Sequence, residues 1–203
     1  MSTVDSVEIR VVPANEASWD DLQAVFGERG YPSQCQCQRI RLGDRDWWDM
    51  PVQERAALLH EQTSCGDPDA PATSGLVAYV DGEPAGWVAV APRTEYRRYR
   101  NSSVPWAGRH EDKDDDSVWA IACFVVRAGF RGRGLTYDLA QAAVEHARSH
   151  GAGAVEGYPI VAPPGKVITW GETNVGTPGP FAAAGLEEVS SPTLRRRVMR
   201  LDL

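Results

Sequence analysis

Apolar and polar positions divide the chain into alternating, periodic and unpatterned stretches. Residues 7–12 (VEIRVV) alternate well enough for a strand, and SWDDLQAVFGERG (18–30) continues with helical spacing. Ser18 is placed to cap that helix, Asp20 and Asp21 fall in its first turn, and Gly30 is the expected stop. PVQERAALLHEQ (51–62) predicts a second helix, with Pro51 early and Ala56, Leu58 and Leu59 midway. Between the two, YPSQCQCQRIRLGDRDWWDM (31–50) fits neither period. GLVAYVDGEPAGWVAVAP (75–92) places two apolar runs around Asp81-Gly82, a turn dipeptide suited to positive φ, and predicts a β-hairpin.

Residues 94–116 are charged and aperiodic, and a loop of that length is functional or disordered. SVWAIACFVV (117–126) is apolar at nearly every position, as in a strand covered on both faces. After the corner Arg131-Gly132-Arg133-Gly134, Leu135, Leu139, Ala143 and Ala147 mark one face of a helix that Gly151 closes. AVEGYPIV (154–161) predicts another strand, 162–176 a loop, and Thr177-Pro178 the start of a short helix ending at Gly185. LEEVSS and RRRVMRLDL predict a closing strand pair. The order gives a mixed α/β fold.

The 203 residues fit one domain, and the net charge of −7 argues against a basic nucleic-acid surface while leaning weakly toward cationic substrates. No run approaches the roughly 18 apolar residues of a membrane span. The first 21 residues lack a basic region followed by an apolar core, so no secretory signal is expected and a cytoplasmic protein is. Four cysteines are too few for a disulfide scaffold. Cys35-x-Cys37 supplies half of a tetrahedral metal site with no Cys-x-x-Cys or His pair to complete it, so a structural or pocket role is expected and no metal.

The glycine-arginine corner carries the main chemical signal. A helix N-terminus offers free N–H groups and partial positive charge, glycines let a phosphate approach the backbone, and arginines add charged donors. The corner therefore suits a pyrophosphate. It equally suits a plain strand-to-helix turn that needs positive φ. A dinucleotide fingerprint starting at Gly132 would need glycine where Tyr137 stands, and Gly165-Lys166-Val167 does not complete a P-loop.

RGRGLT (131–136) resembles the Arg/Gln-x-x-Gly-x-Gly/Ala signature of the GNAT superfamily of acyl-CoA-dependent N-acyltransferases. Asn174, Thr177, Phe181, Gly185 and Leu186 resemble its second segment, and the likeness extends over about 75–203. The resemblance implies a mixed, mostly antiparallel sheet splayed between its fourth and fifth strands, with helices on both faces. It implies a single domain over 1–203, with strand and acceptor-side helices in 1–74 and the acyl-CoA core in 75–203. Acetyl-CoA is then the cosubstrate, bound by the backbone of Arg131, Gly132, Arg133, Gly134, Leu135 and Thr136, by Phe124 and Val126, and by Asn174 and Phe181. The implied reaction moves an acetyl group to a primary amine, on a small molecule or a peptide, by direct attack in a ternary complex. The amide near Phe124 becomes the oxyanion donor.

Three positions depart from that pattern. Thr136 replaces a small residue, Ala120 stands where many members carry a glutamate base, and Phe181 stands where a tyrosine acid is usual. Glu156 and Tyr158, on one face of the next strand, are the candidates for proton transfer, against a solvated glutamate and a core tyrosine. His110, Glu111 and Asp116 are weaker candidates, and His146 and His150 are expected at the surface. Trp47, Trp48, Tyr96, Tyr99 and Trp106 either wall the acceptor site or pack helices on the sheet. Arg97 to Arg100 (RRYR) either touches RNA or pairs with the acidic run that follows. The missing base and acid leave a second reading, a non-catalytic acyl-CoA-binding protein. A homodimer through the terminal strands is compatible with either.

Overall fold

The computed structural model describes residues 7–169 and 172–203; residues 1–6 of the N-terminal segment and 170–171 of the 162–176 loop lie outside them. β1 (Ile9–Pro13) leads to α1 (Trp19–Phe26), where the Ser18 hydroxyl accepts from the Asp21 N–H at 3.0 Å. The helix stops at Gly27, in a positive-φ conformation, three residues before the expected Gly30. The unassigned stretch becomes three short helices, α2 (Tyr31–Cys35), α3 (Gln38–Arg41) and α4 (Asp44–Asp49). Gln36 and Cys37 take left-handed backbone between the first two, which is why no period runs through CQCQ.

α5 (Val52–Thr63) precedes the hairpin of β2 (Leu76–Val80) and β3 (Glu83–Pro92), whose turn residues Asp81 and Gly82 both have positive φ. The 94–116 segment holds α6 (Arg97–Asn101) and is tied down by its own charges. Arg100 pairs with Asp114, Arg97 with Asp46 at 2.8 Å, and Trp106 donates to the Tyr99 carbonyl at 2.8 Å. β4 (Val118–Val126), α7 (Leu135–Ser149), β5 (Ala154–Gly157), α8 (Pro178–Ala183), β6 (Glu187–Thr193) and β7 (Arg196–Asp202) complete the chain.

The strands form one seven-stranded sheet in the order β1-β2-β3-β4-β5-β7-β6, with β4–β5 parallel and the other pairs antiparallel. One apolar layer joins the α1 and α5 side to residues such as Val77, Trp87, Ala120 and Ala122. The other sets α7 and α8 against Ala78, Val88, Ile121 and Val155. The predicted α7 stripe of Leu135, Leu139, Ala143 and Ala147 is wholly in that second layer, each long apolar side chain contributing about 1.5–3 kcal/mol by burial. His146 is buried too, against Trp119 and His150, rather than at the surface as expected, because Trp119 of β4 reaches that end of the helix. Among the described residues no helix is long and apolar enough to cross a membrane.

Candidate active site

The site begins where two paired strands part. β4 runs beside β5 from Val118↔Ala154 to Ile121↔Gly157, yet stays paired with β3 as far as Gly86↔Val126. Ala122 is an extra residue in the β3–β4 register, a bulge that bends the strand where it leaves β5. Phe181 of α8 fills the fork, fully buried, with its ring 5.7 Å from that of Phe124. It lies so close to Gly157 that a Cβ there would come within 2.2 Å of the ring. Phe181, an expected cosubstrate contact, therefore packs as a wedge in the core.

Beyond the fork lies a cleft of ≈1390 Å³, floored by Cys123 to Val126 and walled by the corner and the first turn of α7. That exceeds the ~300–1,000 Å³ of ordinary small-molecule sites. Gly132 and Gly134 have φ of 76° and 81°, and a Cβ on either would meet nothing within 4 Å. Glycine is thus demanded there by backbone conformation, and the surface it leaves is bare main chain. Gly134 caps α7 without a side-chain hydrogen bond, so the first N–H groups face outward with the positive end of a 15-residue helix behind them.

The Arg131 Nε donates to the Val126 carbonyl at 2.9 Å and ties the corner to β4. Arg131, Gly132, Gly134, Leu135 and Thr136 all line the cleft, while the Arg133 guanidinium lies 5.5 Å from the Phe130 ring and is not in the wall. Asn174 does line it, and its Oδ1 is buried with no hydrogen-bond partner, an acceptor free for an amide N–H. These groups fit a ligand carrying both a pyrophosphate and peptide-like amides.

Glu156 and Tyr158 are brought together, as their shared parity predicts, but deep in the protein. Both are fully buried, and the Tyr158 hydroxyl donates to Glu156 Oε2 at 2.7 Å. Arg93 and Arg200 reach the same carboxylate at 3.0 and 2.9 Å, and Arg109 forms a third pair. Glu111, from the long loop, binds all three arginines from outside. Burial alone would raise the Glu156 pKa, but hydrogen bonds from Arg109 and Tyr158 and the neighbouring positive charges outweigh it and bring it down to about 2. Neither residue lines the cleft, and Ala120, at the usual base position, is buried.

A second cavity of ≈420 Å³ joins the first, sharing Tyr31, Cys35, Cys37, Cys123 and Asn174 with it. Cys37 accepts from the Trp87 indole at 3.0 Å. The neighbouring Cys37 and burial raise the Cys123 thiol pKa, and burial raises that of Cys35, so those two stay protonated. Among the described residues no group of three or more His, Cys, Asp or Glu side chains is placed to hold a metal ion.

Trp47, Trp48, Tyr96, Tyr99 and Trp106, read as either an acceptor wall or packing, do not line this cavity. Trp47 is stacked between Arg39 and Arg55, Trp106 lies under Arg93, and the two tyrosines are buried in the sheet layer. What lines it instead is basic. Arg39, Arg98, Arg195 and Arg196 come from three segments, none of which the sequence assigned to a basic pocket. Their one signal was local: basic residues recur in QRIR, RRYR and LRRR.

The sequence profile of the Acetyltransferase (GNAT) family matches residues 36–158, more than half of the chain. No curated relative matches. Among solved structures, an N-acetyltransferase from Staphylococcus aureus Mu50 superposes with a TM-score of 0.53 at 13% identity, covering 98% of this chain and 99% of that one. A GCN5-related N-acetyltransferase from Kribbella flavida gives 0.52 at 19%, covering 96% and 98%. yncA from Salmonella typhimurium, in a structure with its cofactor acetyl-CoA, gives 0.52 at 13%, covering 96% and 94%. At these identities the structures speak for the fold, and the family rests on the profile. The chain belongs to the GNAT family of acetyl-CoA-dependent N-acetyltransferases.

Proposed function

We propose that the cleft seats acetyl-CoA with its pyrophosphate on the backbone of residues 131–136 and its pantetheine arm along Phe124, Val126 and Asn174. The observation that carries this reading is the long cleft opening where β4 leaves β5, with bare glycine backbone and the N-terminus of α7 at one end. The acceptor is a primary amine, on a small molecule or a peptide, entering through the second cavity. Its nitrogen lone pair attacks the thioester carbonyl, the C–S bond breaks, and CoA leaves as the thiolate. The main-chain N–H at Phe124 stabilises the oxyanion, a contribution of about 3–4 kcal/mol in other acyl-transfer sites. Because the donor is backbone, replacing the Phe124 side chain does not remove it.

Glu156 and Tyr158 enter this reading as the anchor for Arg93, Arg109 and Arg200, and the proton released by the amine passes to solvent. The second cavity gives an acceptor its own place, which a protein that merely binds acyl-CoA does not require. Residues 1–203 act as one domain, 1–74 contributing the acceptor side and 75–203 the acyl-CoA core. A cytoplasmic location and a homodimer through the terminal strands complete the proposal.

Calorimetric titration with acetyl-CoA tests it. Micromolar binding is expected, and Gly134→Trp should abolish it by filling the corner while the fold persists. A folded unmodified protein that binds neither acetyl-CoA nor CoA would sink the assignment.

A further inference from the structure

The smaller cavity narrows the class of acceptor, an inference resting on the acetyl-transfer reading above. Among the described residues that line it are four arginines, Arg39, Arg98, Arg195 and Arg196, and one acidic residue, Glu172. That carboxylate is already engaged. It pairs with Arg195 at 2.6 Å and accepts from the Thr169 N–H and hydroxyl at 3.0 and 2.8 Å. The Thr169 bonds and the Arg195 contact hold its pKa at about 2, so it stays charged and committed.

Arg196 differs from its neighbours. It enters the wall from the start of β7, its Nε, like that of Arg195, is buried without a hydrogen-bond partner, and it lacks the Glu172 contact that Arg195 has. Among the described residues it forms no ion pair. Burial foremost, then the adjacent Arg195 and Arg98 charges, lower its pKa from the ordinary guanidinium value. A guanidinium held this way is strongly stabilised by any anion that reaches it, because the cost of desolvating the charge has already been met by the fold. This positive spot sits in a chain whose net charge is −7, so it reflects placement and not a general basic field.

The cavity shares Cys123, next to the strand segment assigned to the thioester, with the cleft. A ligand in the cavity thus lies between residues shared with the cleft and the arginines that line it. We propose that the acceptor amine carries an anionic group, a carboxylate or a phosphonate-type phosphorus oxyanion, bound on the Arg196 side while the amine points to Cys123 and Phe124. This runs against the weak lean toward cationic substrates suggested by the acidic composition.

Two measurements on the full chain test the proposal. The first is calorimetry of the CoA-loaded protein with N-acetyl-L-alanine and N-acetyl-L-phenylalanine, each as carboxylate, phosphonate analogue and carboxamide. The second is thiol release from acetyl-CoA with the corresponding free amines and with spermidine. An anionic form should bind at least tenfold more tightly than its carboxamide, and its amine should show at least tenfold higher kcat/KM. The carboxylate and phosphonate arms identify which oxyanion the site prefers. Arg196→Gln should erase the preference while acetyl-CoA affinity is kept, and Arg98→Gln provides the same reading if the first variant does not fold. Equal or better use of the carboxamides or spermidine would overturn the anionic acceptor and leave acetyl transfer standing. Anion binding without thiol release from any of these amines would leave an anion site and overturn its role as the acceptor site. Absence of binding by every anionic probe also overturns it.

Discussion

Glu156 shows how far a single residue can be read in advance. Its parity with Tyr158 placed both on one face, and the hydrogen bond between them follows from that. What alternation along one strand could not reveal is that Arg93, Arg109 and Arg200, from a turn after β3, the long loop and β7, converge on the same carboxylate. Glu156→Gln should therefore cost about 3–5 kcal/mol of folding stability, since it removes the buried counter-charge and leaves the three guanidinium groups to share Glu111. Chemical denaturation would measure the loss. Turnover per folded molecule should change less than the ~100-fold or more expected when a general base is removed. A stable Glu156→Gln protein with a hundredfold drop in turnover would instead give the carboxylate the proton-transfer role.

At the level of elements, the regular pieces were legible because their signals are local. Ser18 as cap, Asp81-Gly82 as turn and the stripe on α7 depend on neighbours within a few residues. What was missed comes from contacts between elements. His146 of α7 is buried by Trp119 of β4, and which of the two readings the aromatics around 47 and 99 take is decided by Arg55, Arg93 and the sheet. The wedge between β4 and β5 is of the same kind, because Phe181 has its place only through two glycines, Gly157 and Gly176, brought beneath it from elsewhere. Gly157→Ala should push the Phe181 ring away and destabilise the protein by about 1–3 kcal/mol, the usual cost of overpacking. It should also weaken acetyl-CoA binding, since the fork sets the shape of the cleft. A thermal melt and a calorimetric titration check the two effects, and unchanged values in both would remove the wedge role.

For the whole molecule, the strand and helix order was readable but the convergence of its charges was not, and those charges set its response to acid. His146 has its pKa lowered to about 4 by burial and by His150, from an ordinary 6.5. As pH falls through that window the unfolded chain takes up the proton first, so stability declines between 6.5 and 4. Glu156, lowered to about 2 from 4.5, contributes stability that is fully present above 4.5 and is lost as pH falls toward 2. Melting temperature against pH should therefore fall in two successive stages, and His146→Leu should flatten the upper one alone. The sheet also has a seam. β1 to β4 form one antiparallel run and β5 to β7 another, and the backbone ladder between the runs is the four register pairs of β4 with β5. Under mechanical load that short join is where the two halves would shear, and it ends at the mouth of the cleft. A ligand lying between β4 and the Asn174 segment would brace the fork like a crosspiece, so that occupancy and rigidity rise together.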